Sequence, residues 1–152
     1  MKWRLDQEEK KLDNLFDVVR NVKDEEQKAL LSKLLCVRAS GFVESSIRNL
    51  IAEFIDGTSP HQIQSYINKE IKYITNLRYS RLVEVLNGFD ENWADQFASK
   101  INDEQKSALN TVVSNRNNIA HGEVDAISYT LMVEYYQRIK EVVFILKDII
   151  KK

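Results

Sequence analysis

Apolar residues fall at helical spacing along almost the whole chain. From Asp24 to about Asp56 they recur at Leu30, Leu31, Leu34, Leu35, Val37, Phe42, Val43, Ile47, Leu50, Ile51, Phe54 and Ile55. That spacing predicts a helix with a broad buried face. Asp24, followed three residues later by Gln27, fits an N-cap with its capping-box partner, and Gly57 stands where a helix C-terminus wants a positive φ. At about 1.5 Å per residue such a helix runs roughly 50 Å. A compact chain of this length is only about 40 Å across. The helix must therefore cross the whole domain, and every other helix must pack along it.

The remaining stretches repeat the pattern at shorter length. Leu5, Leu12, Leu15, Phe16, Val19 and Val22 give a first helix over about Leu5 to Val22, antiparallel to the long one across a very short connection. Ser59-Pro60-His61-Gln62 reads as a helix start with Ser59 at the N-cap and Pro60 at the first helical position. The helix that follows carries Ile63, Tyr66, Ile67, Ile71 and Ile74 on one face and Asn68, Lys69 and Lys72 on the other. A short helix from about Tyr79 to Leu86 is expected to stop at Asn87-Gly88, and Asp90 to cap another that takes Trp93 and Phe97 into the core. Asn102 with Gln105 opens a helix whose apolar face holds Leu109, Val112 and Val113. Gly122 should end it, and a last helix begins between Asp125 and Ser128 and runs to the C-terminus. The prediction is an all-α fold: a helical bundle on one long central helix, with short accessory helices, in a single domain over 1–152.

Composition narrows the function. One Pro and four Gly leave little material for the turns of a sheet protein. A net charge of -1 and a pI near 6.2 provide no global basic field, so a nucleic-acid function must use a local site. The single Cys36 cannot form an internal disulfide, and its place on the long helix reads as core, which fits a reducing compartment. No secretory segment or membrane-length apolar run is present, so a cytoplasmic protein away from membranes is expected. Two His and one Cys, far apart and without ligand spacing, point to no metal site, and no Gly-rich loop cradles a phosphate, so no cofactor is expected.

The chemistry that remains is in Arg116-Asn117-Asn118-Ile119-Ala120-His121. On a continuous helix Arg116 and His121 lie about 140° apart and share no face. Loosening at Asn118 or Ala120, favoured by the run of asparagines and by Gly122, would let His121 fold back toward Arg116. The pair would then offer a phosphate-binding fork and a proton-transfer group near neutral pH. Such a pair suits removal of a ribose 2′-hydroxyl proton and needs no metal. A plainer arrangement is also open, with Arg116 paired to a surface carboxylate and His121 satisfying carbonyls at the helix end. On the long helix Ser40, Glu44 and Arg48 make a polar strip at i, i+4, i+8. It is either an exposed ion pair or a support in which Glu44 or Ser40 orients His121 or Arg116. Lys69, Lys72, Arg78 and Arg81 could extend an RNA track or be a solvated face. His61, at a helix start, reads as incidental.

The segment Arg116 to Gly122 resembles the R-x4-6-H motif of the HEPN superfamily, including the polar residue after the arginine, here Asn117. The stretch Arg38-Ala39-Ser40-Gly41-Phe42-Val43-Glu44-Ser45-Ser46-Ile47-Arg48 is similar to the long helix of the RiboL-PSP and MAE-type branches. The resemblance implies a helical bundle that forms a homodimer, with two motifs lining one composite cleft. It implies a metal-independent endoribonuclease that leaves a 2′,3′-cyclic phosphate and acts as a toxin or a phage-defence effector, controlled by an antitoxin or another regulatory protein. By that resemblance His121 is the general acid/base, Arg116 binds the scissile phosphate and Asn117 positions the site. The alternative it implies is a non-catalytic module that binds a nucleotide or a partner protein in the same cleft.

Overall fold

The Asp24 carboxylate accepts a hydrogen bond from the Gln27 backbone N–H at 2.9 Å and starts the long helix, α2 (Glu25–Ile55). Gly57, at φ +73°, turns the chain just beyond its end. The helix has 31 residues, about 46 Å of rise. The computed structural model describes residues 2–151, with side chains described for 4–151. In order, the other helices are α1 (Lys2–Arg20), α3 (His61–Glu70), α4 (Tyr79–Phe89), α5 (Glu91–Lys100), α6 (Asp103–Ala120) and α7 (Tyr129–Ile149), with a 3-10 turn at Ile71–Tyr73. Among the described residues there is no strand.

Cross-links between side chains fix the directions. Ser45 Oγ donates to both Glu8 carboxylate oxygens at 2.8 and 2.9 Å, and Lys28 Nζ donates to the Arg20 carbonyl, so α1 and α2 run antiparallel. The Cys36 thiol donates to the Val112 carbonyl at 3.4 Å and Lys33 pairs with Asp125 at 3.1 Å, so α6 is antiparallel to α2 as well. Gln105 reaches Glu141 from α6, and Tyr129, Tyr136 and Lys147 of α7 bond Phe16, Asp13 and Asp6 of α1. The result is a central α2–α7 pair with α1 and α6 on either side. The α4–α5 hairpin covers α6 and α7 on one flank.

The core lies where these helices meet, around Leu35, Ile47, Leu109, Ile139 and Leu146. Phe16 stacks on Tyr136 at 4.3 Å, and Phe54 meets Trp93 edge-on at 4.9 Å. Trp93, Phe97 and Cys36 are buried, as their positions predict. No helix of the described residues is long and apolar enough to cross a membrane.

Three local expectations are corrected. Ser59 does not cap α3. Pro60 occupies the N-cap position with no side-chain bond, and the Ser59 carbonyl accepts from Gln64 instead. The helix drawn through Ile74 tightens into the 3-10 turn after Glu70, and none of the residues of α3 is buried, because α3 packs only sparsely, against α2 and the turn that follows it. Asn87-Gly88 does not stop α4, which continues to Phe89. Asp90 ends α4 in an extended conformation and caps α5 by accepting from the Asn92 N–H.

Two outcomes test this packing. Leu35→Ala, at the fully buried centre, should lower unfolding stability by about 2–5 kcal/mol in denaturant titration. Burial, reinforced by Asp125, pushes the Cys36 thiol up from 9.0 to about 12, and burial with the Asp13 hydrogen bond also raises the Tyr136 phenol. The folded state thus holds these protons more tightly than the unfolded chain does. The Cys36 contribution is complete below about pH 9 and is lost as pH rises from there toward 12, and the Tyr136 contribution starts to fall only above its ordinary value of 10.0. Unfolding midpoints should fall above pH 9, with a shallower fall in Cys36→Ala.

Candidate functional site

The helix that carries the motif is fixed at both ends. At its start, the Asn102 side chain accepts from the Gln105 N–H and the Gln105 side chain accepts from the Asn102 N–H, a complete capping box. At its finish, His121 is the C-cap and Gly122 takes φ +68°. The Gly122 N–H donates to the Ile119 carbonyl at 3.2 Å and the Glu123 N–H to the Asn118 carbonyl at 2.8 Å. Those two bonds are the Schellman closure. The His121 N–H still reaches the Asn117 carbonyl at 3.0 Å, so the helix does not loosen at Asn118 or Ala120. Arg116 and His121 therefore remain about 140° apart around α6 and about 7.5 Å apart along it. Within one chain they do not converge.

The plainer arrangement of the same two residues does not form either. Among the described residues no ion pair joins Arg116 to a carboxylate. The helix-end carbonyls are taken by backbone N–H groups, leaving the exposed His121 ring without a hydrogen-bond partner there. Half-buried Arg116 donates from Nη1 to Asn117 Oδ1 at 3.2 Å. Asn117 lies between Arg116 and His121 around the helix, so this bond turns the guanidinium toward the histidine's side.

Helical geometry exposes two residues that sequence inspection passed over. Asn110, Ser114, Asn117 and His121 follow i, i+4, i+7, i+11 and line one face of α6. The spacing itself was the available signal, masked by attention to the short motif. Asn110 Oδ1 accepts from the Tyr79 N–H at 2.8 Å, which ties the start of α4 to one end of this polar face.

Ser40 and Glu44 do not support the motif. With Cys36 opposite Val112, Glu44 lies eight residues along α2 one way and Arg116 four residues along α6 the other way. That is about 18 Å along the shared axis within the chain. Glu44 instead accepts from Arg48 at 3.3 Å and from the Asn76 N–H at 3.1 Å, while Arg48 donates to the Ile74 carbonyl at 3.2 Å. The pair clamps the connection between the 3-10 turn and α4, where Asn76 is held at φ +55°. Ser40 is buried with its Oγ unpartnered. Lys69, Lys72, Arg78 and Arg81 are all exposed on α3, the turn and the start of α4, and Arg81 pairs with Glu84 at 3.1 Å.

Two grooves lie elsewhere. One of about 680 Å³ runs between α1 and α7 beside Phe144, and one of about 520 Å³ between α1 and α2 beside Arg38 and Gly41. Neither is lined by Arg116 or His121. Among the described residues no three His, Cys, Asp or Glu side chains gather as metal ligands. Gly122→Ala should cost about 1 kcal/mol, because a Cβ is disfavoured at positive φ. It should also perturb the His121 imidazole resonances while leaving those of the α1–α7 side unchanged in NMR spectra.

No curated protein and no solved structure matches the chain. A family model does, and it covers residues 2–152, so the α6 motif, the long α2 and the rest of the bundle all fall within one match. The chain belongs to the RiboL-PSP-HEPN family.

Proposed function

We propose that the protein is a metal-independent endoribonuclease working as a homodimer. The carrying observation is the state of the motif: Arg116, steered by Asn117, has no carboxylate partner among the described residues, and His121 stands exposed at the end of the same helix with a free ring. An arginine fork and an imidazole in that condition are ready for a phosphodiester. In the reaction, one His121 imidazole removes the 2′-hydroxyl proton. The 2′-oxygen attacks the adjacent phosphorus, and the 5′-oxygen leaves with a proton from a second acid, generating a 2′,3′-cyclic phosphate. Arg116 binds the phosphate oxygens as negative charge builds.

The 140° separation supports a second copy as part of the site, since one chain alone does not present Arg116 and His121 to the same phosphate. The long helix offers a face for that copy. Leu30, Leu34 and Val37, at i, i+4, i+7 on α2, are 65, 41 and 37% exposed. The pairing of Lys33 with Asp125, which follows the end of α6, sets this stripe level with the motif. An apolar stripe left bare on a central helix suits an isologous contact, which would bring two α6 ends together with His121 of one copy near Arg116 of the other. A toxin or defence-effector role, restrained by an antitoxin or another regulator, is the biological setting that family membership supports.

Purified protein should cut RNA in EDTA and leave 2′,3′-cyclic ends. His121→Ala should lower the rate about 10²–10⁴-fold and Arg116→Ala about 10²–10³-fold, with Tm unchanged. Induced expression of the wild type, but not of His121→Ala, should arrest growth and fragment total RNA. Intact RNA in every condition, with specific nucleotide or protein binding that His121→Ala abolishes, would establish the non-catalytic module instead. Leu34→Glu should sediment as a monomer and lose cleavage together with dimerisation.

A further inference from the structure

The unpartnered face of α3 and the turn after it combine charge and aromatic surface in a way the catalytic motif does not use. Residues 61–83 hold four basic side chains and one acidic one, whereas the rest of the chain holds 18 and 22. This is a local basic patch on a slightly acidic protein. Tyr66 and Tyr73 lie within it, 64 and 72% exposed. They are seven residues apart, four along α3 and three through the 3-10 turn, which brings them to nearly the same side about 12 Å apart. Among the described residues neither ring stacks on another ring and neither hydroxyl has a hydrogen-bond partner. Lys69 and Glu70 stand between them and Lys72 beside them, and Lys69, Lys72 and Arg78 form no ion pair among the described residues.

The patch is also joined to the motif. The Glu44–Arg48 clamp holds the connection that follows Tyr73, and Arg78 sits at its end as the N-cap of α4. Lys106 lies 4.2 Å over the Tyr79 ring, and Asn110 binds the Tyr79 N–H. From Asn110 the polar face of α6 leads through Ser114 and Asn117 to His121, about 16 Å along the axis.

We propose that Tyr66 and Tyr73, with Lys69, Lys72 and Arg78, form a stacking platform for unpaired bases of single-stranded RNA, from which the strand runs along α6 to the cut site. The proposal rests on the ribonuclease reading for its choice of RNA. The chemistry favours a single strand because tyrosine faces take bases only when these are unpaired, while flanking lysines neutralise the backbone. Beyond exposed Ile63, the charged side chains of Lys69, Glu70 and Lys72 interrupt the aromatic surface, so it lacks the continuous apolar area of a subunit interface.

Binding of a labelled, unstructured 12-nucleotide RNA to the otherwise intact His121→Ala protein, followed by fluorescence anisotropy, separates this from cleavage. Combined Tyr66→Ala and Tyr73→Ala should weaken binding tenfold or more, while Tyr→Phe at both positions retains it. Lys69→Gln with Lys72→Gln should flatten the slope of log K against log salt by about 1.4. The fully paired form of the same RNA should bind less tightly and be indifferent to the tyrosines. Unchanged affinity in the alanine variants overturns the platform, as does a loss of dimer in sedimentation without loss of RNA binding, which would make the patch a protein interface. Wild-type cleavage is scored separately. Cleavage with no tyrosine effect on binding sinks the platform and leaves the nuclease standing. Tyrosine-dependent binding without cleavage sinks the nuclease and leaves the platform standing.

Discussion

A helix about 46 Å long in a chain this small is stable only if its neighbours cover most of its circumference along most of its length. In α2 the requirement is met by α1, α6 and α7 together, and the remaining structure follows from how closely they approach. Small residues at the contacts make the approach possible. Ser32 and Ser46 are fully buried and return their hydroxyls to the Lys28 and Phe42 carbonyls one turn back, at 2.8 and 2.6 Å. Cys36 and Ala39, also fully buried, let α6 and α7 lie against the same turns. Covering three sides leaves a fourth, where Leu30, Leu34 and Val37 come to the surface. The exposed stripe is thus a geometric consequence of the packing that buries the rest of the helix.

The same packing decides what α6 can present. Its inner face is committed to α2 and α7 through Val112, Leu109 and Gln105, and half-buried Arg116 continues that stripe toward the helix end, while His121 lies on the outer face. The Schellman closure then removes the freedom that the asparagine run would otherwise allow. With the helix-end carbonyls occupied by the N–H groups of His121, Gly122 and Glu123, the imidazole is spared from capping and projects into solvent. Asn115 reinforces this end by accepting from the Ala126 N–H at 3.0 Å and donating to the Thr111 carbonyl, which pins the return of the chain toward α7. A closed, braced helix end fixes the backbone of His121, while its ring stays exposed.

Most of the bundle was legible from spacing, because the long helices carry apolar faces that a 3.6-residue period reveals and cap residues that mark where they begin. Asp24, Asp90, Asn102 and Ser128 all cap as their types suggest. What could not be read was which apolar positions find a neighbour. Ile63 and Tyr66 have the same spacing as buried residues, yet they are exposed because α3 packs only sparsely against α2, a fact of tertiary arrangement that no local pattern encodes. The polar strip on α2 shows the same limit. Ser40, Glu44 and Arg48 were recognisable as unusual on an apolar helix, but their purpose depends on register. The Cys36–Val112 contact sends them to the 74–78 connection and away from Arg116.

That displacement explains how a clamp remote from the motif still bears on it. Asn76 occupies a left-handed conformation, which costs a non-glycine residue about 1 kcal/mol or more unless surrounding bonds hold it. Glu44 holds the Asn76 N–H from α2, and Asn110 holds the Tyr79 N–H from α6, so the connection is fixed to two helices that are themselves locked together. Whatever Arg78 and Tyr79 contact is thereby placed at a set distance from His121, because both ends of that span are anchored on α6. An exposed ion pair on a mobile surface would contribute almost nothing to such a relation. Glu44 is only 12% exposed and also binds a backbone amide, so its pairing with Arg48 acts as a spacer between the basic patch and the helix that bears the catalytic candidates.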